Sequence, residues 1–210
     1  DGYYIYSYYA PMLENVELSS AASVGEYAFA YCKNLKQVVL GDAITEIPTY
    51  AFAYCDSLES INLSKVVSVG DYAFAEDRSL KAADLSAAET VGLYAFVYGD
   101  QLASVTLNPN GSKLAEGAFS YSGILSQVEN LAAVTEIGDY AFAYTGITEA
   151  DLSGAVSIGN FAFMKEVKTP FRVTLGSALQ TLGDNPFAMC QLEPFCMVEI
   201  NGFNDVDYEN

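Results

Sequence analysis

The chain has 210 residues, 51% of them apolar and only 17% charged, so it is not a disordered polyelectrolyte and is long enough for one sizeable domain or an elongated array. Its 27 Asp and Glu against 9 Lys and Arg leave a net charge of −18, a field that repels phosphate backbones and anionic lipid surfaces, so nucleic acid is not an expected partner. There is no histidine, which removes Ser-His-Asp and Cys-His catalysis and every imidazole metal site. No run approaches the roughly 18 to 20 apolar residues of a membrane span, so direct membrane insertion is not expected. The opening DGYYIYSYYAPM is not a signal peptide, although a trimmed mature chain would look the same.

In chain order, the aromatic stretch YYIYSYY (3–9) is read as closing the core of a first coil, and LENVEL (13–18) as a half-copy of the repeat unit. Full copies then set in. Segments ending in phenylalanine read VGEYAF (24–29), IPTYAF (47–52), VGDYAF (69–74), VGLYAF (91–96), LAEGAF (114–119), IGDYAF (137–142), IGNFAF (158–163) and LGDNPF (182–187), at intervals of 21 to 24 residues. These define coils one to eight. Val, Ile or Leu always stands five positions before the Phe, usually followed by Gly. Between the phenylalanines runs L-x-x-V-x-L: LKQVVL (35–40), LESINL (58–63), LKAADL (80–85), LASVTL (102–107) and ITEADL (147–152), with RVTL (172–175) and MVEI (197–200) keeping only the ending. The copy LSQVENL (125–131) fits worst and predicts a local irregularity.

A unit of about 22 residues with one short strand, a turn and a return segment cannot bury its apolar edge alone. Stacking the units pairs each strand in parallel with its neighbours and turns the Leu, Val, Ile and Phe columns into a continuous core. Ala before the Phe lets the return segment lie close to the next coil, and Gly after the Val or Ile suits a close approach of backbone.

L-x-x-V-x-L followed by V/I-G-x-Y-A-F and often Y-C, most closely in Phe29-Ala30-Tyr31-Cys32 and Phe52-Ala53-Tyr54-Cys55, resembles the leucine-rich repeat of the BspA type over residues 8–200. The resemblance implies an α/β solenoid: a right-handed leucine-rich-repeat coil of about eight repeats with a parallel β-sheet on its concave face. One domain is expected over 1–210 with a polar tail at 201–210, and since open solenoid ends need capping, the sequence reads as a piece of a longer protein or an array whose ends partners protect. The resemblance further implies a bacterial protein that is secreted or held at the cell surface and binds an extracellular protein or glycan, with no catalytic residues and no cofactor. LAEGAF, LGDNPF and the missing Cys of the middle coils depart from the pattern.

The variable position between V and the final L holds Val39, Asn62, Asp84, Thr106, Glu129, Asp151, Thr174 and Glu199. Adjacent coils would bring Glu129, Glu149 and Asp151 together, with Asp84 two coils from Glu129. Like charges at that spacing repel and need an offset. This face is either a site for a cation or basic partner, or a solvated surface of an acidic protein. Tyrosines form two columns: Tyr31, Tyr54, Tyr98, Tyr121 and Tyr144 two residues after the Phe, and Tyr27, Tyr50, Tyr72, Tyr94 and Tyr140 two before it. Each is either inter-coil packing or a ladder for binding. Cys32, Cys55 and Cys190 share one repeat position and read as buried thiols, with a Cys190–Cys196 disulfide across a turn as the alternative. No metal site is expected, since NDVD (204–207) lacks the glycine and glutamate of a calcium loop.

Overall fold

The computed structural model describes residues 12–192. The expectations for residues 3–9, Cys196, the 197–200 strand, Glu199 and 201–210 lie outside the described residues. Within them the chain is a parallel-strand solenoid without an α-helix, its one helical piece being a 3-10 turn at Leu131–Ala133.

The V-x-L residues form strands because alternation puts V and L into the core and the middle residue outside. Gln37–Leu40 and Glu149–Leu152 show this plainly, with buried Val38 and Leu40, and buried Ala150 and Leu152. Partners run in parallel, one coil to the next in equal register: Val38 opposite Val16, Val128 opposite Val105, Ala150 opposite Val173. This sheet is not continuous. It divides into three pieces: Asn15–Leu18 with Gln37–Leu40 and Ser60–Ile61; Ala82–Asp84 with Ser104–Thr106 and Gln127–Glu129; and Glu149–Leu152 with Thr169–Leu175 and Cys190–Leu192.

Each break has a residue beside it. Beside the first, the Asn62 side chain accepts from the Leu40 N–H (2.7 Å) and donates to the Leu40 carbonyl (3.2 Å), replacing backbone pairing to the preceding coil beyond Ile61, on the side away from the break. At the second, V-x-L carries one residue too many. Asn130 takes up the excess in a left-handed conformation (φ 63°), bonds the Leu107 carbonyl through its side chain, and delivers Leu131 to the core one step late. This is the irregularity that LSQVENL predicts.

A second strand in coils two to eight was not expected. Two-residue strands at Glu46–Ile47, Ser68–Val69, Thr90–Val91, Lys113–Leu114, Glu136–Ile137, Ser157–Ile158 and Thr181–Leu182 form one unbroken seven-stranded parallel sheet. The glycine after the strand explains how closely the coils stack there. A side chain on Gly138 would put its first carbon 2.6 Å from the Ala115 carbonyl carbon and the Glu116 nitrogen.

Between the sheets stands the phenylalanine column. Phe29, Phe52, Phe74, Phe96, Phe119, Phe142, Phe163 and Phe187 stack with centroids 4.9 to 5.6 Å apart. Those from Phe52 to Phe163 are fully buried, each contributing about 1.5–3 kcal/mol of burial. The Y-A-F-A-Y segment is a staircase. Amides of Tyr27, Phe29 and Tyr31 donate to the next coil (Thr49, Ala51, Ala53), while those of Ala28, Ala30 and Cys32 donate back three residues. The first and last of these turns have a left-handed third residue, Tyr27 and Tyr31, and ten tyrosines in all take positive φ in this way. That costs about 1–2 kcal/mol each, which a stacked aromatic pair at about 0.5–1.5 kcal/mol roughly offsets. The departures LAEGAF and LGDNPF fit the same rule: Gly117 (φ 61°) and Asn185 (φ 47°) are residues that reach this conformation cheaply.

Candidate ligand-binding surfaces

The second break opens a depression of about 730 Å³ between Gln127–Glu129 and Glu149–Leu152, where no backbone hydrogen bond crosses. Coils six and seven stay close on either side of it, at Gly146 against Gly123 and at Gly154 against Ala132. They part between. Val128 forms part of the lining and is only half-buried, whereas its counterparts Val38, Ile61, Ala83, Val105, Ala150 and Val173 are buried.

The three carboxylates expected to come together line this depression: Glu129, Glu149 and Asp151, beside Arg172 and Thr174. Asp84 lies where the repeat puts it, outside the depression. It sits two strands away, in register with Thr106 and, through it, with Glu129. The required offset to repulsion is visible. The Thr106 hydroxyl lies between the two carboxylates and donates to Glu129 (3.2 Å), and Arg172 pairs with Glu149 at 3.5 Å. Asp84 and Asp151 each accept the N–H two residues on, from Ser86 and Ser153, closing the turn that ends the strand.

The two tyrosine columns differ in exposure. Tyr27, Tyr50, Tyr72, Tyr94 and Tyr140 are half-buried, and Tyr50, Tyr72 and Tyr94 with Tyr54 cover a minor core of Ala53, Ala75 and Val97. Tyr94 leans over Gly117 and donates its hydroxyl to Glu116; this hydrogen bond, then burial, pushes the phenol up to about 12. In the other column Tyr31 (40%), Tyr98 (41%) and Tyr121 (43%) are exposed, and Tyr54 and Tyr144 half-buried. Rings stack at 4.5 Å (Tyr31–Tyr54), 4.8 Å (Tyr98–Tyr121) and 4.6 Å (Tyr121–Tyr144), so solvent meets edges and hydroxyls more than faces. Glu76 interrupts this ladder, paired with Arg78.

The chain matches the BspA type leucine-rich repeat region over residues 3–125 and 89–202. It belongs to the BspA-type leucine-rich-repeat family. Among curated proteins no sequence match is found. Among solved structures it is similar to a leucine-rich repeat protein from Bacteroides ovatus ATCC 8483 (19% identity, 89% of this chain and 68% of that one, TM-score 0.54). It is also similar to the T. pallidum leucine-rich repeat protein (30% identity, 62% of each chain, TM-score 0.57). The chain thus spans 68% and 62% of the length of these two proteins.

In this BspA-type array the Cys column continues through residues that sequence reading passed over. Three positions after the Phe stand Cys32, Cys55, Asp77, Gly99, Ser122 and Thr145, all buried. Cys32 and Cys55 are free thiols, as expected. Asp77 is 1% exposed; one oxygen accepts the Cys55 N–H (2.8 Å) and the other has no partner. Burial pushes its carboxyl well above the usual range, only partly countered by the Cys55 N–H. Lys165 is likewise buried, donating to the Thr145 carbonyl (2.8 Å) with its ammonium 5.4 Å from the Phe171 ring centre; burial lowers it to about 8. Column alignment alone could have flagged Asp77. Among the described residues no group of three or more Cys, Asp or Glu is placed to hold a metal, and no helix is long and apolar enough to cross a membrane.

Proposed function

We propose that this chain is a non-enzymatic binding module of a secreted or cell-surface bacterial protein, recognising an extracellular protein or glycan along the solenoid. The fold is one generally used for protein interaction and is typically non-catalytic; the surface location rests on the family reading. One observation carries the proposal: the coil stack opens at a sheet break, and Glu129, Glu149 and Asp151 line the opening. A rigid, acidic, partly apolar depression suits a basic or polar group of a partner. The exposed Tyr31, Tyr98 and Tyr121 column offers a second contact surface.

The turn-closing roles of Asp84 and Asp151 favour a second reading, a structural spacer in which these carboxylates serve the fold alone. The test is binding of the purified chain to extracellular matrix proteins, mucin-type glycans and basic peptides at physiological salt. The comparison is with an Asp84→Asn, Glu129→Gln, Asp151→Asn variant. A saturable partner whose affinity drops at least tenfold in the variant supports the acidic depression. An unchanged affinity moves recognition to the tyrosine ladder. A folded chain with no saturable partner is a spacer.

A further inference from the structure

Thr145 bonds its own coil's Phe142 carbonyl, but in three other coils the residue three positions after the Phe reaches back to the coil before. The side chain there donates to the carbonyl of the preceding coil's Phe: Cys55 to Phe29 (3.2 Å), Ser122 to Phe96 (3.2 Å) and Cys190 to Phe163 (3.2 Å). In coil three the position holds Asp77, and an ionised carboxylate has nothing to donate. The acceptor corresponding to those of Cys55, Ser122 and Cys190 is the Phe52 carbonyl. In coils one, three and eight the Phe carbonyl also receives the N–H three residues on, from Cys32, Asp77 and Cys190; in coil two the corresponding N–H, that of Cys55, turns instead to Asp77 Oδ1. The buried Oδ2 of Asp77 has no hydrogen-bond partner, and the Phe52 carbonyl does not receive the Cys55 N–H.

We infer that Asp77 is carried as a neutral acid whose Oδ2–H donates to the Phe52 carbonyl, and that the closure of coil three onto coil two is therefore gated by pH. One proton satisfies both orphan groups and makes Asp77 equivalent to the Cys and Ser of its column. Losing it leaves a buried anion facing a carbonyl oxygen, with one N–H bond in compensation. Among the described residues packed around it, none is a cation placed to neutralise the charge. From coil two Asp77 faces the Cys55 thiol and, farther out, the Asp56 carboxylate, which is paired with Lys33 and holds the proton on. In coil four the same column position is Gly99, which has no side chain. On its own coil the flanking Glu76 and Arg78 pair with each other at the surface. Burial dominates, in the direction that favours the neutral acid.

The linkage has a definite sign. An acid whose folded-state proton is held above the ordinary range contributes stability that is complete at low pH. That stability declines as pH rises from the unfolded value to the folded one. Acid surroundings keep the two coils sealed. Rising pH loosens them and bares Cys55, whose amide Asp77 holds.

The test is the pH dependence of stability in the unmutated chain and in Asp77→Asn, which keeps an acceptor and a donor but cannot ionise. Between pH 4 and the point where Asp77 ionises, the folded-to-unfolded ratio of the unmutated chain should fall relative to the variant by up to about tenfold per pH unit. Parallel curves over this range would overturn the inference. Should Asp77→Asn fail to fold, the carboxyl-carbon NMR resonance of Asp77 in the unmutated chain decides the same question. A midpoint far above the ordinary carboxylate range supports the neutral acid; a midpoint near 4, about that of a free Asp, overturns it.

Discussion

The two sheets of this solenoid share the same coils and differ in continuity. The sheet of two-residue strands runs unbroken through seven coils, while the sheet of longer V-x-L strands is cut into three pieces. Strand length therefore does not decide continuity. What decides it is how much freedom each coil has beside its neighbour. Next to Gly70, Gly92, Gly138, Gly159 and Gly183 the backbones are too close for a Cβ, so spacing cannot drift. Along V-x-L such approaches occur only at the flanks, as at Gly41 and Gly176, and between them one inserted Asn130 is enough to part the ladder. The looser side is also where the carboxylates gather and the depression opens, so variation and the candidate site share a cause.

Four changes would break or sharpen this contrast. Phe119 is packed between the two sheets and belongs to both. Phe119→Ala should cost about 3–5 kcal/mol in denaturant unfolding, a loss expected whichever sheet matters more. Gly138→Val should cost about 1–3 kcal/mol, because it meets Ala115 and Glu116 backbone that cannot step aside; native-state hydrogen exchange should rise first at Ile137 and Leu114. Deleting Asn130 restores V-x-L spacing in coil six. The third and second pieces of the broken sheet should then join, with slower amide exchange at Glu149 and Asp151 and a gain of about 1 kcal/mol. The same deletion should remove any binding that depends on the depression. Smallest is Lys113→Ala. The Lys113–Glu136 pair crosses the unbroken sheet, but both side chains are at least half exposed, so stability should shift by under about 0.5 kcal/mol. A larger loss would mean that ion pairs, rather than glycine contacts, hold that sheet together.

Much of the architecture is readable from the amino acids alone. Phe spacing reveals the coil, V-x-L its first strand, and LSQVENL the irregularity, because an extra residue in a fixed period has to go somewhere. The second strand hides because Glu46–Ile47 or Ser68–Val69 is too short for alternation to register. The left-handed tyrosines hide for a different reason. Tyrosine carries no preference for that backbone, and only Gly117 and Asn185, which read as defects, betray it. At the candidate site, register brings Glu129, Glu149 and Asp151 to one place as the repeat predicts. The depression itself, which excludes Asp84, depends on a divergence that no column alignment measures. Asp77 escaped notice since a carboxylate in an acidic sequence looks like surface until its column is seen to be core.

The stacked tyrosines have an optical consequence. The chain has 16 tyrosines and no tryptophan, so its ultraviolet emission comes from tyrosine alone. Rings 4.5 to 5.6 Å apart in the two columns let excitation hop from coil to coil before a photon leaves. The folded solenoid should therefore emit depolarised light that regains its polarisation as coils separate, and the chain carries its own gauge of coil stacking without any added label.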